Sequence, residues 1–360
     1  MKDMLKDYYR SLNVDEKVFE YCNSVEEKLK DRFAAIDAVS ELNQLKVLKA
    51  MQDNRLSEAH FAGSSGYGYT DDGRDALERI YADVFHTEDA LVRTQIVCGT
   101  HALCTAMFGN LRPGDEILAI AGKPYDTLDE IIGIRESRGS LAEYGVTYAQ
   151  VDLLPNGDFD IDGIKNAINS RTRLVEIQRS KGYAVRKTLS VQQIGEAIKA
   201  VKSVNPDIIC MVDNCYGEFV QDIEPSDVGA DLVVGSLIKN PGGGIAPTGG
   251  YIAGKKELVE MCAYRLTTPG TGKEIGATLN ANRELFMGAY HAPHVTGEAL
   301  KTAVFASALF EILGYETSPK YNDARGDIIQ LIMLGNAEKV CRFCEGVHCF
   351  LSGNSGSCPC

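Results

Sequence analysis

The chain has 360 residues, 44% hydrophobic and 24% charged, an ordinary globular composition with room for one large domain and a smaller one. Its net charge of −13 leaves no basic face for a phosphate backbone and argues against a nucleic-acid partner. No run of about 18 apolar residues occurs, so no membrane-spanning helix is expected, and the polar start MKDMLKDYYRSLN lacks the apolar core of a signal peptide, which points to a cytoplasmic location.

Residues 1–58 carry apolar positions such as Val18, Phe19, Ile36, Val39, Leu42 and Leu45 at helical spacing and are expected to form an N-terminal helical segment. The Gly- and Tyr-rich stretch 63–74, GSSGYGYTDDGR, follows. It is either a flexible loop or one whose Tyr67, Tyr69 and Arg74 reach a phosphate in a neighbouring subunit. Apolar runs suited to buried strands then appear at 91–97, 116–120, 146–151, 173–177, 208–213, 231–235 and 250–253. Helical stretches lie between most of them, at 100–110, 126–136, 162–169 and 191–204, and the pattern is helical again from 273 to 288 and from 296 to 313. This alternation predicts an α/β fold, a doubly wound, mostly parallel seven-stranded sheet with flanking helices. The expected organisation is a helical segment 1–58, a large domain 59–288, a partial C-terminal domain 289–347 and an atypical tail 348–360.

The densest chemistry lies between 212 and 250. Asp213 ends the apolar run 208–212 and begins an Asp-x-x-Tyr with Tyr216, while Ser236 and Lys239 form a Ser-x-x-Lys after the run 232–234. Both polar residues therefore sit at carboxyl ends of core strands, where open α/β sheets bind ligands. Taken singly, Lys239 reads as a solvated charge and Asp213 as a cap or turn residue. Taken together they are the pair that pyridoxal phosphate needs, Lys239 to form a Schiff base and Asp213 to pair with the pyridinium nitrogen. Gly99, Thr100 and His101 open a helix after the 91–97 strand and could present backbone N–H groups to a phosphate, or could form a simple N-cap at Thr100. Ser236 offers a second phosphate donor or is a turn serine. Tyr125, at the end of another strand, either stacks on the cofactor ring, where it would also serve the catalytic centre, or covers the sheet edge. Tyr216 would hydrogen-bond the ring hydroxyl. Gln178 and Arg179, with Ser180 and Lys181 after them, would contact substrate or the ring hydroxyl. Five glycines in 241–250 read as close backbone approach to a ligand or as a long turn.

Other chemistries find no support. There is no Gly-x-Ser-x-Gly elbow, Walker loop or His-Glu-x-x-His pattern. His291 and His294 flank Pro293, which spoils a helical metal pair, and they read as part of a loop leading into a helix, so no metal is expected. Of 11 cysteines, Cys22, Cys98, Cys104, Cys210, Cys215 and Cys262 read as reduced and mostly buried, and five crowd into the last 20 residues. Cys341 and Cys344 could hold zinc, but the remaining spacings are poor for four ligands.

The stretches GSSGYGYTDDGRDALERIYADVF, QIVCGTHAL, GKPYDTLDEIIG, VDNCYGEFV and GSLIKNPGGGIAPTGGYIAG resemble the aluminium resistance protein or methionine gamma-lyase-like family, related to cystathionine beta-lyase among fold-type-I pyridoxal phosphate enzymes. The resemblance implies that Lys239 carries the cofactor, that Asp213 partners its ring nitrogen, and that the protein is a carbon–sulfur lyase acting on a sulfur-containing amino acid. It also implies a homodimer or homotetramer with sites at subunit contacts. An aminotransferase, or a cofactor-binding protein without turnover, would use the same residues. The departure is at the carboxyl end, where CRFCEGVHCFLSGNSGSCPC stands in place of a small domain containing strands.

Overall fold

The structure, a computed structural model, describes residues 2–352, and the side chains of 4–348. Cys349, Cys358 and Cys360, part of the expected atypical tail, have side chains outside those bounds. The chain divides into two compact units. The larger holds Arg32–Lys301 and Ala324–Ile329, and the smaller holds the remaining stretches. This differs from the sequence-based division, because the expected boundary at 288 falls inside one uninterrupted helix.

The larger unit contains most of α3 (Lys30–Asp53), then α4 (Asp72–Val84), β1 (Asp89–Arg93), α5 (Gly99–Asn110), β2 (Glu116–Ala119), the single turn α6 (Asp129–Ile132) and β3 (Thr147–Gln150). It continues through α7 (Ile161–Ala167), β4 (Thr172–Gln178), α8 (Val191–Val204), β5 (Ile209–Asp213), β6 (Leu232–Ser236), β7 (Gly250–Gly254), α9 (Lys256–Leu266) and the first part of α10 (Asn282–Ile312). The seven strands form one sheet in the order β1-β7-β6-β5-β4-β2-β3. The pairs β2·β3, β2·β4, β4·β5 and β5·β6 are parallel, whereas β7 runs antiparallel to both β6 and β1.

Strand alternation sorts the core into two layers. Val175, Ile177, Cys210, Val212 and Val233 face a cluster that includes Leu77 and Ile80 of α4, Ile194 and Ile198 of α8, and Leu285 and Phe286 of α10. Leu174, Ile209, Met211, Leu232 and Val234 face the opposite way, onto Leu103 and Met107 of α5 and Val259 and Cys262 of α9. Both faces are covered, which is why the strands read as continuous apolar runs. Helix α8 starts at Ser190 with a reciprocal box, the Ser190 hydroxyl accepting from Gln193 N–H and the Gln193 side chain accepting from Ser190 N–H.

Two expectations are corrected. The helix foreseen at 126–136 is a short 3-10 turn, Asp126–Leu128, followed by α6, which ends at Gly133 in the left-handed region with φ 97°. The break foreseen around Pro293 is absent. Helix α10 passes through the proline, and α3 supplies donors beside it, Gln44 Nε2 to Tyr290 O at 2.7 Å and Ser40 Oγ to Pro293 O at 3.0 Å. His291 and His294 therefore lie on a helix, not in a loop. Among the described residues no group of three or more His, Cys, Asp or Glu is placed to hold a metal.

The smaller unit carries α1 (Lys2–Ser11) and α2 (Glu16–Lys28), whose Tyr9 and Phe19 rings lie 5.1 Å apart. It also holds the end of α10, the antiparallel pair β8 (Glu316–Ser318) and β9 (Leu331–Met333), and α11 (Ala337–Ser352). The start of the expected atypical tail 348–360 thus continues α11 to Ser352, and Cys341 and Cys344 are exposed free thiols earlier on the same helix. Among the described residues no helix is long and apolar enough to cross a membrane.

Candidate active site

Parallel pairing brings the carboxyl ends of β4, β5 and β6 level. Gln178 is in register with Asp213, and Asp213 with Val234. The cleft at this edge is lined by residues that include Gly99, Thr100, Tyr125, Gln178, Asp213, Cys215, Tyr216 and Lys239. Asp213 is 6% exposed and its Oδ1 accepts the Cys215 N–H at 3.1 Å. Lys239 follows β6, and its Nζ lies 4.1 Å from the centroid of the Tyr216 ring. Tyr216 itself occupies the left-handed region, φ 68°, where a bulky side chain is strained.

Burial disfavours the Asp213 carboxylate and raises it, against the pull of the Lys239 ammonium and the Cys215 N–H. Burial also opposes the Lys239 ammonium, but the acidic groups around it, Cys215, Tyr216, Asp213 and Glu218, outweigh that and hold it above the ordinary lysine value. Burial pushes the Cys215 thiol well up, and it pushes the neighbouring Glu218 carboxyl up to about 8. Tyr125 is raised to about 12, first by its hydrogen bond with Tyr183, and remains a phenol. One pair deeper on the Asp213 face stands Glu176, opposite Met211. It is fully buried, neither oxygen has a hydrogen-bond partner, and burial with Asp213 nearby pushes it up to about 8 against the opposing Arg186.

Pyridoxal phosphate fits this donor set. A carboxylate that burial destabilises is suited to a cationic ring N–H. A methyl on Gly99 would come 2.9 Å from Cys215 Sγ and 3.3 Å from Ser236 Cβ, so the glycine keeps the amino terminus of α5 open. Gln178 Oε1, on the cleft wall, is buried without a partner.

The structure gathers Gly99, Thr100, Tyr125, Gln178, Asp213, Tyr216 and Lys239 as the sequence led us to expect. Four other candidates are used elsewhere. His101 turns back to accept the Val97 N–H at Nδ1, 3.2 Å, and is not on the cleft wall. Arg179 is fully buried, its guanidinium donating to Asn214 Oδ1 at 2.8 Å and Glu224 Oε2 at 3.1 Å, because the residue after Gln178 points away from the cleft face. Arg74 is 2% exposed and donates to Gly68 O and Asp75 Oδ1, so it ties a loop together instead of reaching a phosphate. Ser236 is buried behind Gly99 and its hydroxyl accepts from Ile238 N–H. Tyr67 and Tyr69 are 74% and 55% exposed, off the cleft wall. Ser180, named with Gln178, also lines the cleft, as do Leu103, Thr127, Gly182 and Cys215, which were not singled out as site residues.

The fold and this cleft define a fold-type-I pyridoxal phosphate enzyme architecture. The chain belongs to the methionine gamma-lyase family, whose profile matches residues 18–355. An uncharacterized protein of Bacillus subtilis, YnbB, is 50% identical over 315 residues, 87% of this chain and 75% of its own length. The crystal structure of a carbon–sulfur lyase involved in aluminum resistance from Clostridium novyi superposes with a TM-score of 0.93 at 48% identity, covering 96% of this chain and 82% of that one. The L-methionine gamma-lyase of Pseudomonas deceptionensis is 25% identical over 247 residues, 67% of this chain and 53% of its own.

Proposed function

We propose that the protein is a pyridoxal phosphate-dependent carbon–sulfur lyase acting on a sulfur-containing amino acid, of the cystathionine beta-lyase or methionine gamma-lyase kind. The observation that carries this reading is the convergence of Lys239 and Asp213 on one cleft, with Tyr125, Tyr216 and the amino terminus of α5 around them. Family membership and the Clostridium novyi lyase support the same reaction class.

Asp213 would face the ring nitrogen, Tyr216 the ring hydroxyl and Tyr125 a ring face, while the backbone N–H groups of Gly99 and Thr100 would hold the phosphate. Bound there, the cofactor supplies an electron sink for charge developing at the substrate α-carbon. Lys239 is the general base within the cleft, and its amine must be neutral to take the α-proton. Asp213 helps hold the ammonium proton in place, so a cationic partner engaging Asp213 frees the Lys239 amine. Loss of a thiol from the β or γ carbon would complete the elimination.

The test is keto-acid release from cystathionine or methionine with no keto-acid acceptor added, beside a Lys239→Ala variant. Release that the variant lacks supports the lyase. A strict need for an acceptor identifies an aminotransferase, and cofactor absorbance without product in either assay identifies a binder without turnover. We also propose a homodimer or homotetramer in the cytoplasm. Exposed Tyr67, Tyr69 and Leu279 support the first, and the free thiols of the described cysteines support the second.

A further inference from the structure

A short segment far along the chain reaches two of the loops that build the cleft. Ala324–Ile329 belongs to the larger unit, whereas the chain on either side of it belongs to the smaller one. Its Ile328 N–H donates to the Tyr216 carbonyl at 3.2 Å. Asp327, fully buried, accepts the Lys181 N–H at Oδ2, 2.9 Å, and the Ile329 N–H at Oδ1, 3.0 Å. Gly326 N–H donates to Thr188 Oγ1 at 2.9 Å, and a methyl on Gly326 would fall on the Leu189 carbonyl.

These contacts form a strap. Asp327 fastens it to the loop after β4, and Ile328 carries its hold across to the loop after β5. What it holds there is Tyr216, whose left-handed backbone persists only while its surroundings over-determine it. The ring so placed is the one that faces Lys239 Nζ. Asp327 does not line the cleft, so any effect on the site must pass through Tyr216 or the loop after β4.

We propose that Asp327 is a positioning residue that, through Ile328, fixes Tyr216 in its strained conformation against Lys239. The geometric part stands on the contacts above; the consequence for cofactor rests on the reading of the cleft as a pyridoxal phosphate site. Truncating a carboxylate that receives two backbone N–H groups removes the acceptor that ties the segment to the loop after β4, which loosens its hold on the Tyr216 carbonyl.

The test has two arms. In the first, hydrogen exchange is followed in the cofactor-free protein for Asp327→Ala and for Gly326→Ala, which displaces the strap and keeps the carboxylate. Exchange over 214–217 is expected to quicken about tenfold in both, with the strands unchanged. Exchange there at the wild-type rate, or quickened equally everywhere, overturns the proposal. In the second arm the visible spectrum of added pyridoxal phosphate is recorded. Asp327→Ala should shift the band in the same direction as Tyr216→Phe and weaken affinity about tenfold, and the double variant should go no further than Tyr216→Phe alone. Full additivity overturns the route through Tyr216. If the wild type itself gives no band, the cofactor reading fails while the exchange result still decides the strap.

Discussion

The Asp213 carboxylate accepts the Cys215 N–H and draws on the Lys239 ammonium, and these two oppose the upward push of burial without cancelling it. Asp213→Asn keeps the shape and removes the charge. A charge-assisted hydrogen bond of this kind contributes about 1.5–3 kcal/mol, so the dissociation constant for pyridoxal phosphate should rise roughly ten- to a hundredfold in an absorbance titration. Unchanged affinity would mean that Asp213 does not meet the cofactor. Glu176 makes a separate claim, about stability. Its folded-state value lies near 8, above that of an ordinary carboxyl, so the native state prefers the proton. Its contribution is present at acid pH and is lost as pH rises from the ordinary carboxyl range through about 8. Glu176→Gln removes that dependence, so the cofactor-free variant should melt above wild type at pH 8, with the gap closing toward pH 5. A gap constant with pH would show that Glu176 does not hold its proton. Sequence patterning alone hid Glu176, because one carboxyl inside the run Leu174–Ile177 does not break the apolar pattern of a buried strand. Arg179 was misassigned for a simpler reason. With Gln178 fixed as a strand end on the cleft face, alternation sends its successor to the other side.

At the scale of elements, the amino terminus of α5 is where packing and function meet. Gly99→Ala would set a methyl 2.9 Å from Cys215 Sγ, closer than packed atoms tolerate. The strain, about 1–3 kcal/mol, should lower the melting temperature and weaken cofactor binding together. Cys215→Ala in the same chain removes the clashing sulfur and should restore most of both, whereas failure to rescue would place the defect in the helix backbone. Most strands were legible because both sheet faces are covered, so they read as apolar runs, whereas the edge strand β3 is half-exposed. Element ends were less legible. The end of β1 at Arg93, ahead of the expected 97, and the reduction of 126–136 to two short turns depend on local hydrogen bonding that apolar spacing does not encode. Pro293 reads as a break because an interior proline removes a helical hydrogen bond. What the local sequence could not show is that Gln44 and Ser40, about 250 residues earlier, supply donors around it.

At the scale of the whole molecule, the loop 63–74 changes meaning once its contacts are known. Gly276 N–H donates to Tyr67 O at 2.8 Å and Leu279 N–H to Ser64 O at 3.0 Å, while Arg74 spans Gly68 O and Gly276 O. The loop is therefore clipped to the stretch before α10, with Tyr67, Tyr69 and Leu279 left 74%, 55% and 71% exposed. Single exposed apolar residues are commonplace, but three on a clipped loop pair make a patch of the sort that associates. If a second copy covers it, sedimentation velocity should give a dimer or tetramer at micromolar concentration. Tyr67→Ser with Leu279→Asp should then raise the dissociation constant at least about tenfold, as loss of central contacts does. Arg74→Ala should act in the same direction by loosening the clip without touching the patch. With a net charge of −13 on each chain, the copies repel. Added salt screens that repulsion beyond about 10 Å at 0.1 M, so the assembly should tighten with salt, where one held by exposed ion pairs would loosen. A wild-type monomer under all these conditions would mean that the patch serves something other than self-association.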